Sequence, residues 1–288
     1  MNSFICSYAT LHRDTEAYAG FPEGIPEGLP FGTYLGRQCQ HFLTDMGIAR
    51  RIADTLPDAG PYKVLEIGPG TGVLTQFLLQ RNPIDLRVIE IDTESVAYLN
   101  QNFEALAGKI IADDFLHYDI PSIFGGESFA LIGNYPYNIS SQIFFKALEH
   151  KDQIPFISGM LQKEVAERIA SKPGKKAYGI LSVLLQAYYD IEYLFTVPPS
   201  VFNPPPKVQS AVIKMTRNNT EHLPCNEVLF KNVVKTTFNQ RRKTIRNSIK
   251  PLLGGDFDKA GTPLLDKRPE QLSVAEFVEL TTWVESQM

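Results

Sequence analysis

The sequence predicts an α/β fold: a mostly parallel sheet with helices on both faces and an antiparallel last strand, followed by a small helical domain. Three observations carry this. Short apolar runs alternate with segments of helical period, the pattern of strand–helix–strand units. A glycine-rich turn joins the first of these strands to its helix. The last two apolar runs are separated by a proline-rich stretch that cannot be a crossover helix, so their strands are expected to run antiparallel.

Taken in order, residues 1–33 stand apart. Phe21-Pro22-Glu23-Gly24-Ile25-Pro26-Glu27-Gly28-Leu29-Pro30 spaces Pro and Gly too closely for helix or strand, so this part reads as a flexible N-terminal extension. Regular patterning begins at Tyr62. Val64-Leu65-Glu66-Ile67 is a strand, and Val73, Leu74, Phe77 and Leu78 follow the glycines at helical spacing. Leu86-Arg87-Val88-Ile89-Glu90-Ile91 is a second strand ending at Asp92, with Val96, Leu99 and Phe103 on one face of the next helix. Runs at 109–112, 129–133 and 154–160 continue the alternation. Runs at 191–197 and 208–215 close the sheet, giving a domain over 34–217. After a polar linker, 227–253 and 273–285 have helical periodicity, so 227–288 is a helical domain closed by Val274, Phe277, Val278, Leu280 and Trp283.

The chain has 288 residues, with 28 Lys and Arg against 32 Asp and Glu, a formal net charge of -4, and 43% hydrophobic residues. Such a chain buries a core without staples. Its overall acidity gives no global sign of nucleic-acid binding. Cys6, Cys39 and Cys225 are too few and too scattered for a disulfide framework or a cysteine zinc site. His12, His117, His150 and His222 share no ligand spacing, so no metal is expected. No apolar run nears the roughly 20 residues that span a bilayer, and the N-terminus has no signal-peptide core. The expectation is a cytoplasmic monomer with no membrane partner.

Glu66-Ile67-Gly68-Pro69-Gly70-Thr71-Gly72 places glycine at every second position between strand and helix, which lets a ligand approach backbone at the carboxyl edge of the sheet. The spacing is neither a dinucleotide fingerprint nor a P-loop. Glu90, at the end of the second strand, is placed to bind both hydroxyls of a ribose, with Asp92 close behind. Asp114, after the third strand, is placed to accept from an adenine amino group. Glu66 has two readings, an acid facing the ligand or one that only holds the turn. S-adenosylmethionine fits the set: adenosine, an amino acid and a sulfonium cation among acids. A tight turn with no ligand is the competing reading of the glycines alone.

The fourth strand ends at the same edge in Asn134-Tyr135-Pro136-Tyr137-Asn138. The exocyclic amine of adenine is a poor nucleophile because its lone pair is delocalised into the ring. Two acceptors, the Asn134 side-chain oxygen and the Pro136 carbonyl, can bond its two hydrogens and draw the nitrogen toward the tetrahedral geometry that attacks a methyl group. Tyr137 offers a stacking face to an unstacked base, worth roughly 1 to 3 kcal/mol. Unaided, Tyr-Pro-Tyr reads equally well as a turn with core aromatics.

Basic residues cluster late. Lys231, Lys235, Arg241, Arg242, Lys243, Arg246 and Lys250 share a segment with no acid, at spacings that cannot all lie on one helical face, which points to phosphates. Lys172, Lys175 and Lys176 form a basic loop with two readings, phosphate contact or solubility. Lys163, Glu164, Glu167 and Arg168 read as a solvated helical face, from which Lys163 reaches toward phosphate.

With these segments on the page, the chain resembles the KsgA family of ribosomal RNA adenine dimethyltransferases over about residues 34–285. The resemblance also rests on Gln40-His41-Phe42-Leu43, Met160 to Glu164, Lys176-Ala177-Tyr178-Gly179, Phe202-Asn203-Pro204-Pro205-Pro206-Lys207-Val208 and Phe238-Asn239-Gln240-Arg241-Arg242-Lys243-Thr244-Ile245-Arg246-Asn247. It implies a Rossmann-like, S-adenosylmethionine-dependent domain. It further implies dimethylation of N6 of two adjacent adenosines in the hairpin loop near the 3′ end of 16S rRNA, in the immature small ribosomal subunit. By motif position it assigns cofactor contacts to His41, Leu43, Gly68, Glu90, Asp114 and Asn134. Substrate contacts fall to Asn134, Pro136 and Tyr137, with Phe202 as a second stacking face. RNA contacts fall to Arg241, Arg242, Lys243 and Arg246. The chain departs from the family in the lead-in, in Arg37-Gln38-Cys39 between Leu35-Gly36 and Gln40, and in Tyr135 where Leu is common, a change expected to be tolerated on a strand-end face. Other functions stay open: an assembly checkpoint whose binding matters more than methylation, a large-subunit rRNA methyltransferase, and, more weakly, a DNA adenine methyltransferase.

Overall fold

The computed structural model describes residues 41–59, 63–81, 84–254, 257 and 261–288. The extension expected at 1–33, and Gln40, lie outside the described residues. The chain from Gln40 to Met288 is one compact unit.

It opens with β1 (Phe42–Leu43) and α1 (Met46–Ala53), the helix capped by Asp45, whose carboxylate accepts from the Ile48 N–H at 3.0 Å. The expected alternation follows: β2 (Lys63–Ile67), α2 (Thr75–Leu78), β3 (Asp85–Ile89), α3 (Thr93–Asn102), β4 (Ile110–Ile111), α4 (Ile120–Ile123), β5 (Ala130–Asn134) and α5 (Ser140–Glu149). Then come β6 (Phe156–Gln162), α6 (Lys163–Ile169), α7 (Ile180–Gln186), β7 (Tyr189–Val197), β8 (Phe202–Asn203) and β9 (Ser210–Arg217). Helices α8 (Glu227–Asn239), α9 (Ile245–Ser248), α10 (Lys250–Leu253) and α11 (Val274–Ser286) close the chain.

Seven strands form one sheet in the order β4-β3-β2-β5-β6-β9-β7. Pairs from β4 to β6 are parallel, whereas β9 runs antiparallel to both β6 and β7. The reversed strand is thus inserted between its neighbours, not added at the edge. The inner strands are apolar on both faces because helices cover both. Leu65 and Ile67 point into one core with α5, α7, α8 and α11, while Val64 points into the other with α1, α2 and α3. The C-terminal helices share the first core: Phe238 of α8 stacks on Phe277 of α11 at 5.8 Å between ring centroids.

Two local expectations are corrected. The helical period read over 227–253 does not make one helix; it is broken at 240–244, where Ile245 is buried and its N–H donates to the Lys267 carbonyl at 2.8 Å. A tertiary contact outcompetes the next helical turn there. The proline-rich stretch after β7 is not all loop, since β8 pairs antiparallel with β1, Leu43 opposite Phe202.

Candidate active site

Neighbours β2 and β5 send the chain to opposite sides of the sheet, so a crevice opens past their carboxyl ends, where open α/β sheets bind ligands. The glycine turn enters it from β2 and Asn134-Tyr135-Pro136-Tyr137 from β5. A Cβ on Gly68, which has φ +63°, would touch only the Pro136 ring, 3.9 Å away, and one on Gly70 only the Phe42 ring, at 3.5 Å. These two glycines keep backbone open toward the crevice. Gly72 does something else: with φ +80°, its Cβ would fall 2.4 Å from the Phe103 ring, so its bareness lets Phe103, at the end of α3, close on the turn.

The acids divide by depth. Glu66 is 1% exposed and accepts from the Thr75 hydroxyl at 2.7 Å, which ties β2 to α2. Burial pushes its carboxyl up to about 8, with the nearby Glu90 charge adding to the rise and the Thr75 bond opposing it. Of its two readings, holding the turn describes these contacts, with a hydroxyl as partner. Glu90 is 4% exposed; one carboxylate oxygen accepts from the Gly70 N–H at 3.1 Å and the other from the Asp92 N–H at 2.9 Å. Burial raises its pKa against the pull of those backbone donors. The Ile91 N–H is a third backbone donor to this carboxylate, which still has acceptor capacity left for a ligand hydroxyl. Asp92 itself caps α3, accepting from the Ser95 N–H at 2.7 Å. At Asp114 partial burial is outweighed by the Leu116 N–H, His117 and Lys146, and its carboxyl sits below the usual range. His117 Nδ1 lies 2.6 Å from it.

Sequence reasoning passed over Ile91. It stands 67% exposed between Glu90 and Asp92, a large apolar side chain beside the proposed ribose site. The signal was its position: a strand-end Ile flanked by two acids has no core to enter.

Asn134 is half-buried, and its side chain has no hydrogen-bond partner among the described residues. The Pro136 carbonyl accepts from the Ile139 N–H at 3.2 Å, leaving a lone pair. The Tyr137 hydroxyl is hydrogen-bonded to Ser210 of β9, which fixes the half-buried ring, and burial raises its pKa. The His41 ring lies 6.0 Å from it, and His41 Nδ1 is 2.8 Å from the Pro204 carbonyl. A carbonyl only accepts, so Nδ1 carries a proton there. Pairing of β1 with β8 thus brings His41 and Leu43 to the site from one end of the chain and Phe202 from the other. Leu43 and Phe202 are both 4% exposed and belong to the core behind it. Tyr135 is not on an exposed strand end: its ring is buried against Gly133, Gly159 and Phe144, and its hydroxyl donates to the Ser158 carbonyl at 2.7 Å.

The basic segment runs from α8, which carries Lys231 and Lys235, through the turn that follows it to α10. Arg241, Arg242 and Lys243 occupy the turn 240–244, with Arg242 and Lys243 exposed. The segment has no acid of its own, but part of its charge is paired by acids from elsewhere in the chain. Arg246 lies 2.5 Å from Asp266, Arg241 3.9 Å from Glu270 and Lys231 3.6 Å from Glu149, acids the local sequence could not reveal.

A Rossmann-like sheet, a glycine turn at its switch point, strand-end acids and an Asn-x-Pro-Tyr loop define an S-adenosylmethionine-dependent methyltransferase. The family model for ribosomal RNA adenine dimethylase matches residues 36–285. A Parabacteroides distasonis protein named ribosomal RNA small subunit methyltransferase A is 67% identical over 242 residues, covering 84% of this chain and 90% of that one. Among solved structures, a dimethyladenosine transferase from Plasmodium falciparum has a TM-score of 0.70 at 25% identity, covering 86% of this chain and 98% of that one. The 23S rRNA methyltransferase ErmE has a TM-score of 0.61 at 27% identity, covering 84% and 99%. The chain belongs to the ribosomal RNA adenine dimethylase family.

Proposed function

We propose that this protein transfers methyl groups from S-adenosylmethionine to N6 of two adjacent adenosines in the hairpin loop near the 3′ end of 16S rRNA, within the immature small subunit. The observation that carries this reading is the placing of two acceptors with lone pairs to spare, the Asn134 side chain and the Pro136 carbonyl, at the same sheet edge as a glycine turn with Glu90 and Asp114. The donor set suits a cationic nucleoside: carboxylates, bare backbone and no basic side chain at the turn. The relatives named for the small subunit favour it over a large-subunit substrate.

Glu90 would hold the ribose hydroxyls, Asp114 the adenine amine, Ile91 the adenine face, and His41 and Gly68 the walls, with Leu43 packed behind them. Bound S-adenosylmethionine supplies an electrophilic methyl group. On the substrate side, Asn134 and Pro136 accept the two amine hydrogens and localise the nitrogen lone pair for attack. Tyr137 stacks on the flipped base, its ring held by Ser210. Phe202 supports this wall from behind. Once methylated, the nitrogen is acidic enough to lose a proton to water, so the side chains need supply no strong base. Positioning and electrostatics provide the acceleration. The helical segment 227–288 contributes Arg241, Arg242, Lys243 and Arg246 toward RNA. All these residues come from one chain, which supports action as a monomer, and no described helix is long and apolar enough to cross a membrane. We place it in the cytoplasm, where its substrate is assembled.

Asn134→Ala is expected to lower methyl transfer to unmethylated small subunits by about 10²- to 10³-fold while leaving subunit binding intact. Full activity in that variant, by mass-spectrometric mapping of the adenosines, would sink the chemistry. An assembly defect rescued by the inactive variant would shift weight to the checkpoint role.

A further inference from the structure

A cleft of about 260 Å³ opens at the same edge of the sheet, lined by Gln162, Lys163, Glu164, Glu167, Val208 and Gln209. Its position follows from the register. Met160 of β6 pairs with Asn134, and Gln162 stands two residues further along the same strand, roughly 8 Å from Asn134 by strand geometry. Ser210, the cross-strand partner of Gln162, anchors the Tyr137 hydroxyl, and Gln209 is its neighbour in sequence.

The lining selects a kind of ligand. Lys163 Nζ donates to Gln209 Oε1 at 3.0 Å, and the Lys163 N–H donates to the Gln209 carbonyl at 3.0 Å. With its oxygen engaged, the Gln209 amide presents its NH₂ as an oriented donor. Gln162 adds a second amide with both donor and acceptor. Val208, 45% exposed, supplies an apolar wall. Glu167 lies 3.9 Å from Lys163 and Glu164 is paired with Arg168 at 3.1 Å, so the charges of the lining are already matched and leave no free cation for a phosphate. Oriented amides beside an apolar wall, with the neighbouring charges paired, match the polar edge and flat face of an uncharged nucleobase.

When one of two adjacent adenosines is at Asn134, the other is one nucleotide away, within reach of this cleft. We propose that this cleft receives the nucleobase flanking the target adenosine, an inference that rests on the dimethylation reading above. None of its six lining residues belongs to the proposed cofactor or amine site.

The test uses the full chain, S-adenosylmethionine and unmethylated small subunits, with each adenosine's methylation followed over time by mass spectrometry. For Gln209→Leu, KM for subunits is expected to rise about tenfold, the size of one well-placed hydrogen bond. The ratio of the two adenosines' rates is expected to shift at least about threefold. Val208→Ser and Gln162→Leu provide independent variants should one fail to fold, and melting curves of each establish that it is native. An unchanged ratio overturns the proposal, since a general loss of fold or activity slows both positions alike. A wild-type protein that leaves both adenosines unmodified would instead overturn the dimethylation reading, and the cleft's role with it.

Discussion

At Glu66 the fold holds a carboxyl group where water does not reach. In the unfolded chain it titrates near 4.5, in the fold at about 8, because burial penalises the charge. Below pH 4.5 both states keep the proton. Between 4.5 and 8 only the native state does, so stability falls as pH rises through that window, and the whole penalty is present above it. Glu66→Gln removes the window. Its unfolding free energy, from urea titrations, should gain on the wild type between about pH 5 and pH 9, on the order of a few kcal/mol; parallel curves of stability against pH would show that Glu66 is ionised in the fold. Gly159 makes a second case. With φ +150°, a Cβ there would lie 2.2 Å from the Gly133 carbonyl oxygen and 2.7 Å from the Tyr135 ring. Gly159→Ala is therefore expected to cost about 3 kcal/mol or more, read as a drop in melting temperature. Tyr135 appeared in the sequence as a mild change at a strand end. Its burial was hidden because the glycines that admit its ring come from two strands.

The turn 240–244 shows how an element assigns roles to similar side chains. Arg242 is exposed with no ion pair among the described residues, whereas Arg246 is held by Asp266. Arg242→Ala is expected to weaken subunit binding and lower the slope of log affinity against log salt by about 1, leaving stability unchanged. Arg246→Ala should also lower the melting temperature. Filter binding at several salt concentrations, with melting curves, separates the two; equal effects would mean that the pairing with Asp266 carries no weight. The strands at the site were easier to read than this turn, because both faces of β2 and β5 are buried and the apolar runs end where the ligand edge begins. The β1–β8 pair was invisible: two residues at each end leave no period, and their partners are far apart in the chain.

Across the whole molecule, a net charge of -4 coexists with a basic turn because the charges are segregated. Acids line the glycine-turn edge, and Arg242 and Lys243 stand exposed in the turn after α8. RNA association is therefore expected to be local and salt-sensitive. The core has a similar lesson. Phe230, Val233, Val234, Phe238, Phe277 and Leu280 share one cluster with Leu65 and Leu131 of the sheet. Ending the chain after residue 226 should strip one face of its cover and abolish cooperative unfolding. A truncated protein with a sharp native-like transition would show instead that the sheet folds without these helices.

The sequence by itself determined the strand–helix order, the turn, the Asn-Tyr-Pro-Tyr loop and the resemblance, because each is written in short-range spacing and in residue types that few structures can use. Tertiary structure alone decided which acids face the crevice and which are buried beneath it, which bases are already paired, that the His41 and Tyr137 rings come together, and that Phe202 lies in the core opposite Leu43. Those outcomes depend on contacts between segments far apart in the chain, where burial and pairing, not local preference, set the chemistry of a side chain.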